Sequence, residues 1–177
     1  MRRDQLQHVI FEIGTRFALT EFYIIGSAAI LAALPEPPPG ALTATRDVDI
    51  IPLTDDQKIA DQISFVIGEA SDFDLAHGYY AQGVSEATPT FAPRNWKSRA
   101  IPIRVAQFTA WCMEPTDLVL SKLGAAREKD IEFAHSASNL HLVTPEGLLE
   151  RLSLIDCTPT QRTRITERVH ALNVPRE

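Results

Sequence analysis

Apolar residues recur at helical spacing over the first nineteen positions. Leu6, Val9, Ile10, Ile13, Phe17 and Leu19 fall on one stripe, and Asp4 stands where an N-cap is expected. The pattern predicts an amphipathic helix over 3–18, packed on the back of a sheet. The unbroken apolar run 22–25 predicts a first strand, and the small residues of 27–34 a helix after a glycine turn. Residues 35–40 are too proline-rich for helix or central strand. They read as a stiff loop or as a polyproline II partner site. A second strand is expected over 46–52.

Thr54, Asp55 and Asp56 then predict the cap of a helix running to about residue 70, with Ile59, Ile63, Val66 and Ile67 as its buried stripe. Residues 71–105 read as loop and strand, with strands at 101–105 and 108–113. Tyr80, Gln82 and Trp96 read either as the aromatic and polar lining of a base pocket or as parts of a hairpin that completes the core. Pro115 opens a helix over 115–126 that continues, after a break, through 133. Thr144 and Thr158 each precede a proline, which predicts helices over 145–154 and 159–172. Arg162, Arg164 and Arg168 read as a solvated basic face or a contact to RNA or a partner.

A chain of 177 residues, 45% of them hydrophobic, suits one domain with a single sizeable core. The expected division is a domain over 1–143 and a helical extension over 144–177 packed on it. A formal net charge of −6 argues against broad, non-specific binding of nucleic acid. Cys112 and Cys157 lack partners at zinc spacing and read as buried thiols, as expected of a reducing cytoplasm. No apolar run is long enough to span a bilayer and the first residues do not read as a signal peptide, so no membrane association is expected.

The candidate chemistry lies in 24–51. Asp47 and Asp49 are two apart on a strand and point to one side of the sheet. Two such carboxylates repel unless a cation lies between them, and oxygen ligands suit Mg²⁺ or Mn²⁺. Gly26 permits close backbone approach, and Ser27 with the following helix start offers N–H donors to an anion. Together they describe a metal bound to a phosphate chain. Lys122 is unexpected in an otherwise apolar helix.

Gly26-Ser27 followed by Asp47-x-Asp49 resembles the nucleotidyltransferase superfold of the DNA polymerase beta type. Within it, the chain is similar to small bacterial nucleotidyltransferases related to the toxin half of type IV abortive-infection toxin–antitoxin pairs. The resemblance spans about 23–133. It implies a mixed α/β fold, a mixed β-sheet flanked by helices. It also implies a metal-dependent transfer of a nucleoside monophosphate from a nucleoside triphosphate to an RNA end, such as that of tRNA, or to a protein hydroxyl, with a cognate antitoxin as a further partner.

By the same resemblance Asp47 and Asp49 hold the metal, and Gly26, Ser27, Thr45, Lys122 and Lys129 bind the nucleotide. Lys122 neutralises the triphosphate, and Asp130 pairs with it or serves as a base. A continuous helix would set Lys122 and Lys129 on one face. Thr43 stands where the toxin-like pattern often has arginine. The superfold usually takes a third carboxylate from a neighbouring strand. The candidate strand, 101–105, has no acid, and Asp74, Glu86 and Glu114 are the substitutes. This departure supports a second reading, a degenerate nucleotide-binding or partner-binding module of the same fold.

Overall fold

The computed structural model describes residues 1–34, 42–54 and 57–172. The proline-rich stretch 35–40 and both Asp55 and Asp56 lie outside them. Helix α1 (Arg3–Phe17) buries Leu6, Val9, Ile10 and Ile13, as their spacing requires. It starts two residues earlier than Asp4 implied: Arg2 holds the cap position, and its N–H donates to Gln5 Oε1 at 2.8 Å. Ala18 ends the helix in the left-handed region, so Leu19 falls outside it.

The strands are β1 (Glu21–Ile25), β2 (Asp47–Pro52), β3 (Tyr80–Gly83), β4 (Ile101–Val105) and β5 (Phe108–Cys112). They form one mixed sheet in the order β3-β2-β1-β5-β4. β1 runs antiparallel to β2 and parallel to β5, while β3 is parallel to β2. Helix α1 covers β4 and β5 so closely that a Cβ on Gly14 would lie 2.3 Å from the Phe108 ring. Helices flank the sheet, as the mixed α/β expectation requires.

Three local expectations change. The helix after Gly26 is a single 3-10 segment, Ser27–Ala32. Helix α2 (Gln57–Ile67) buries Ala60, Ile63 and Ile67 but turns Val66 outward. The stretch read as loop and strand contains helix α3 (Asp72–His77), capped by the Ser71 hydroxyl and closed by Gly78 at φ 75°. β3 is therefore reached from a helix and is no hairpin arm. It packs under α2, where a Cβ on Gly83 would lie 2.0 Å from the Ala60 carbonyl.

From Pro115 onward the described chain is helical: α4 (Pro115–Ala125), α5 (Glu128–Asn139), α6 (Pro145–Leu152) and α7 (Pro159–Ala171). Thr144 and Thr158 cap α6 and α7 ahead of their prolines. Both helices pack on α4. Arg162 donates to the Leu152 and Ile155 carbonyls at 2.7 and 2.9 Å, and Arg168 to the Leu123 carbonyl at 2.7 Å. Two of the three arginines read as a solvated face thus fasten helices together. Asp117, fully buried on α4, accepts from Arg99 at 2.8 Å and from Arg151 at 2.7 Å. Among the described residues no helix is long and apolar enough to cross a membrane.

Candidate functional site

The register of β1 and β2 builds the site. Ile25, the last residue of β1, pairs with Asp49 of β2, so the turn after β1 lies beside the two aspartates. Gly26 there has φ 69° and ψ −170°, a region open essentially to glycine alone. A Cβ at this position would lie 2.3 Å from Asp49 Oδ2. The backbone thus presses directly on the carboxylate. Because the segment that follows is one short 3-10 helix, its dipole offers an anion little. Charge neutralisation falls to side chains.

Those side chains line an open cleft of about 900 Å³. Gly26, Ser27, Thr45, Asp47, Asp49, Lys122 and Lys129 all border it. The Thr45 hydroxyl donates to Asp47 Oδ1. Burial and the neighbouring Asp47 push the Asp49 carboxyl up to about 6, against the pull of Lys122, Arg127 and Lys129. A cation between the two aspartates would remove that cost. Two carboxylates leave most positions of a hard, octahedral ion to water and phosphate oxygens, a donor set that fits Mg²⁺ or Mn²⁺.

Asp130 lies behind the cleft. It is fully buried and accepts from Lys122 Nζ at 3.1 Å and from Arg127 Nε at 2.7 Å. Burial alone would raise this carboxyl, but the hydrogen bonds and charges of Arg127 and Lys122 outweigh it and hold it low. Its geometry is that of a clamp on two cations. Lys122 Nζ also sits 4.5 Å from the centre of the Phe133 ring, and burial lowers its pKa.

The helix carrying these residues is broken. Ala126 caps α4 at φ 55°, its N–H donating to the Lys122 carbonyl, and Arg127 is extended before α5 begins. The Lys122–Asp130 pair therefore closes across a turn. Arg127, which stands in that turn and lines the cleft, was not singled out from the sequence. The only signal is a basic residue two before the Lys129-Asp130 pair.

Strand order relocates the third-acid question. β4, the expected neighbour, lies at the far edge of the sheet, three strands from β2. The neighbours of β2 are β1 and β3; on β3, Tyr80 stands opposite Asp47 and Gln82 opposite Asp49. Asp74 is held by Arg46 at 2.6 Å and by the Ala70 N–H at 3.1 Å. Glu86 pairs with Lys97, and Glu114 caps α4. Among the described residues no group of three or more His, Cys, Asp or Glu is placed to hold a metal. Tyr80 and Gln82 line the cleft. Trp96 does not; it is buried edge-on against Tyr23, with ring centres 5.3 Å apart.

No curated protein and no solved structure matches the chain. A family model does, over residues 4–171, which takes in every strand and, but for Arg3, every helix just described. The chain belongs to that family, described as nucleotidyltransferase of unknown function (DUF6036).

Proposed function

We propose that this nucleotidyltransferase moves a nucleoside monophosphate from a nucleoside triphosphate to an acceptor hydroxyl, with one Mg²⁺ or Mn²⁺ ion held by Asp47 and Asp49. The acceptor oxygen forms a bond to the α-phosphorus, the bond from that phosphorus to its bridging oxygen breaks, pyrophosphate leaves, and the hydroxyl proton passes to solvent. When bound, the metal would offset charge on the phosphate oxygens. Gly26 lets the backbone approach the phosphates. Lys122, Arg127 and Lys129 balance their negative charge. Asp130 positions Lys122 and Arg127 and stays out of the cleft.

One observation carries the reading: a glycine turn pressed against a partly buried carboxylate, in a cleft that also collects three cations. The resemblance to abortive-infection toxins adds a candidate acceptor, a tRNA 3′ end, and a cognate antitoxin. Gln82 opposite Asp49 favours a second reading, nucleotide binding without transfer, because it supplies no third charge. The test is thermal stability with each ribonucleoside triphosphate, with and without Mn²⁺. A ligand about a hundredfold above its Kd should stabilise by about 2.7 kcal/mol. The Asp47→Asn, Asp49→Asn double variant should lose the metal-dependent shift. An unchanged shift would sink the site. Labelled triphosphate offered to total tRNA then separates transfer from binding alone.

A further inference from the structure

The chain's three tyrosines meet different surroundings. The Tyr79 hydroxyl is hydrogen-bonded with His8 Nδ1 at 2.7 Å and does not border the cleft. The Tyr23 ring packs edge-on against Trp96. Tyr80 does border the cleft, and among the described residues its hydroxyl has no hydrogen-bond partner. It is half-buried at the start of β3 and pairs directly with Asp47 of β2. Neighbouring strands lie about 4.8 Å apart and paired residues point to one face, so the ring stands beside this carboxylate. The Arg46 guanidinium carbon lies 6.0 Å from the ring centre and steadies it. Arg46 is itself held by the Asp74 carboxylate at 2.6 Å and the Gly78 carbonyl at 2.9 Å.

Strand order decides which side of the aspartates each group takes. In the order β3-β2-β1, Asp47 and Asp49 stand between Tyr80 and the Gly26 turn. Lys122 and Arg127 gather with Gly26 and Asp49 at an inner end of the cleft that Tyr80 does not border. A triphosphate whose β- and γ-phosphates meet these cations turns its leaving group to that side. Transfer at phosphorus brings the attacking oxygen in roughly opposite the leaving oxygen. The attacking hydroxyl therefore belongs on the β3 side, where Tyr80 stands. The cleft's other hydroxyls are placed differently. Ser27 follows Gly26, Thr88 lines the same inner end as the cations, and Thr45 donates to Asp47.

We propose that Tyr80 is a self-modification site, an acceptor within the chain on which its own cleft deposits a nucleoside monophosphate. The proposal rests on the nucleotidyl-transfer reading of the cleft. Tyr80 Oη forms a bond to the α-phosphorus and the bond from that phosphorus to the oxygen bridging to the β-phosphate breaks. Pyrophosphate leaves and the phenolic proton passes to solvent. The product is a phosphodiester between the tyrosine and the nucleoside. The attached nucleotide then occupies the acceptor side of the cleft, so the reaction stops after one addition and keeps other acceptors out.

The experiment incubates the full chain with Mn²⁺ and each ribonucleoside triphosphate in turn, and reads intact mass and peptide fragments. With at least one nucleotide the parent should gain a single nucleoside monophosphate, mapped to Tyr80. Tyr80→Phe removes an oxygen that bonds to nothing, so it should keep the parent's thermal stability and lose the adduct. Tyr79→Phe, one residue away, should keep the adduct. An isotope-labelled Asp47→Asn, Asp49→Asn double variant mixed with the parent should stay unmodified, because each Tyr80 faces its own site. An adduct that maps elsewhere, survives Tyr80→Phe or passes to the double variant overturns the proposal. So does the absence of an adduct on a parent whose thermal stability still rises with triphosphate and metal, and the nucleotidyl-transfer reading then stands. Neither adduct nor thermal shift with any nucleotide removes that reading, and the proposal with it.

Discussion

Gly26 and Asp49 are fitted to one another, with only 2.3 Å between a hypothetical Cβ on the first and Oδ2 of the second. Gly26→Ala therefore meets two penalties, the backbone region and the carboxylate. It should destabilise the chain by about 1–3 kcal/mol, the usual cost of such a conformation, and displace Asp49. Gly78 is a built-in control. It too has positive φ, at 75°, but a Cβ there meets nothing within 4 Å. Urea denaturation with Mn²⁺ titration should show both glycine variants destabilised and only Gly26→Ala impaired in metal binding.

Asp49 sets a pH dependence. Its folded carboxyl lies at about 6, raised by burial and by Asp47 from an ordinary value of 3.8. The folded state thus holds this proton more tightly than the unfolded state. The stabilisation is complete below the unfolded value and is lost as pH rises through about 6. Asp49→Asn should stabilise the metal-free protein by about 1–3 kcal/mol at pH 7.5 and change little at pH 4. Saturating Mg²⁺ should reverse the order at pH 7.5, since only the parent has the full pair of carboxylates. Denaturation curves at the two pH values, with and without the ion, check both statements.

The clamp at Asp130 should respond unequally to loss of its two ends. Asp130→Ala leaves Lys122 buried without its carboxylate, a fault that typically costs about 3–5 kcal/mol. Lys122→Met leaves Asp130 still bonded to Arg127 and should cost less. Their double variant should cost less than the sum, because the stranded charge is gone. Equal single losses in urea denaturation would contradict this geometry.

The two thiols should separate in reactivity. Burial pushes Cys112 up to about 12, while Cys157 is only half-buried. A thiol reagent at pH 8 should modify Cys157 alone in the native protein and both residues after denaturation.

Arg168 and Arg164 offer a surface test. Arg168→Ala removes the donor from the Leu123 carbonyl and should cost about 1–3 kcal/mol. Arg164, exposed on the same helix, should be neutral within about 0.5 kcal/mol when changed to alanine.

What the sequence revealed was local. The alternation around Asp47 and Asp49, the glycine before Ser27 and the prolines after Thr144 and Thr158 each announce a backbone state through adjacent residues. What it hid was long-range. Nothing in residues 101–105 says that the strand belongs at the far edge of the sheet, so the third-acid position was sought on the wrong neighbour. α3 was missed because six residues between turn signals are too short for a periodic stripe. Arg162 and Arg168 looked solvated because their partners are carbonyls, which every residue has and no sequence displays. Arg127 was passed over because it sits in a helix break, where periodicity carries no information.

The connection after β3 borders the cleft through Val84 and Thr88, while the aspartates are locked into the middle of a sheet register. Connections tolerate replacement and changes of length that a strand pair does not. The two walls of the cleft therefore differ in how freely they can change. A change of sequence or length at 84–95 should reshape one wall of the cleft without moving Gly26, Asp47 or Asp49.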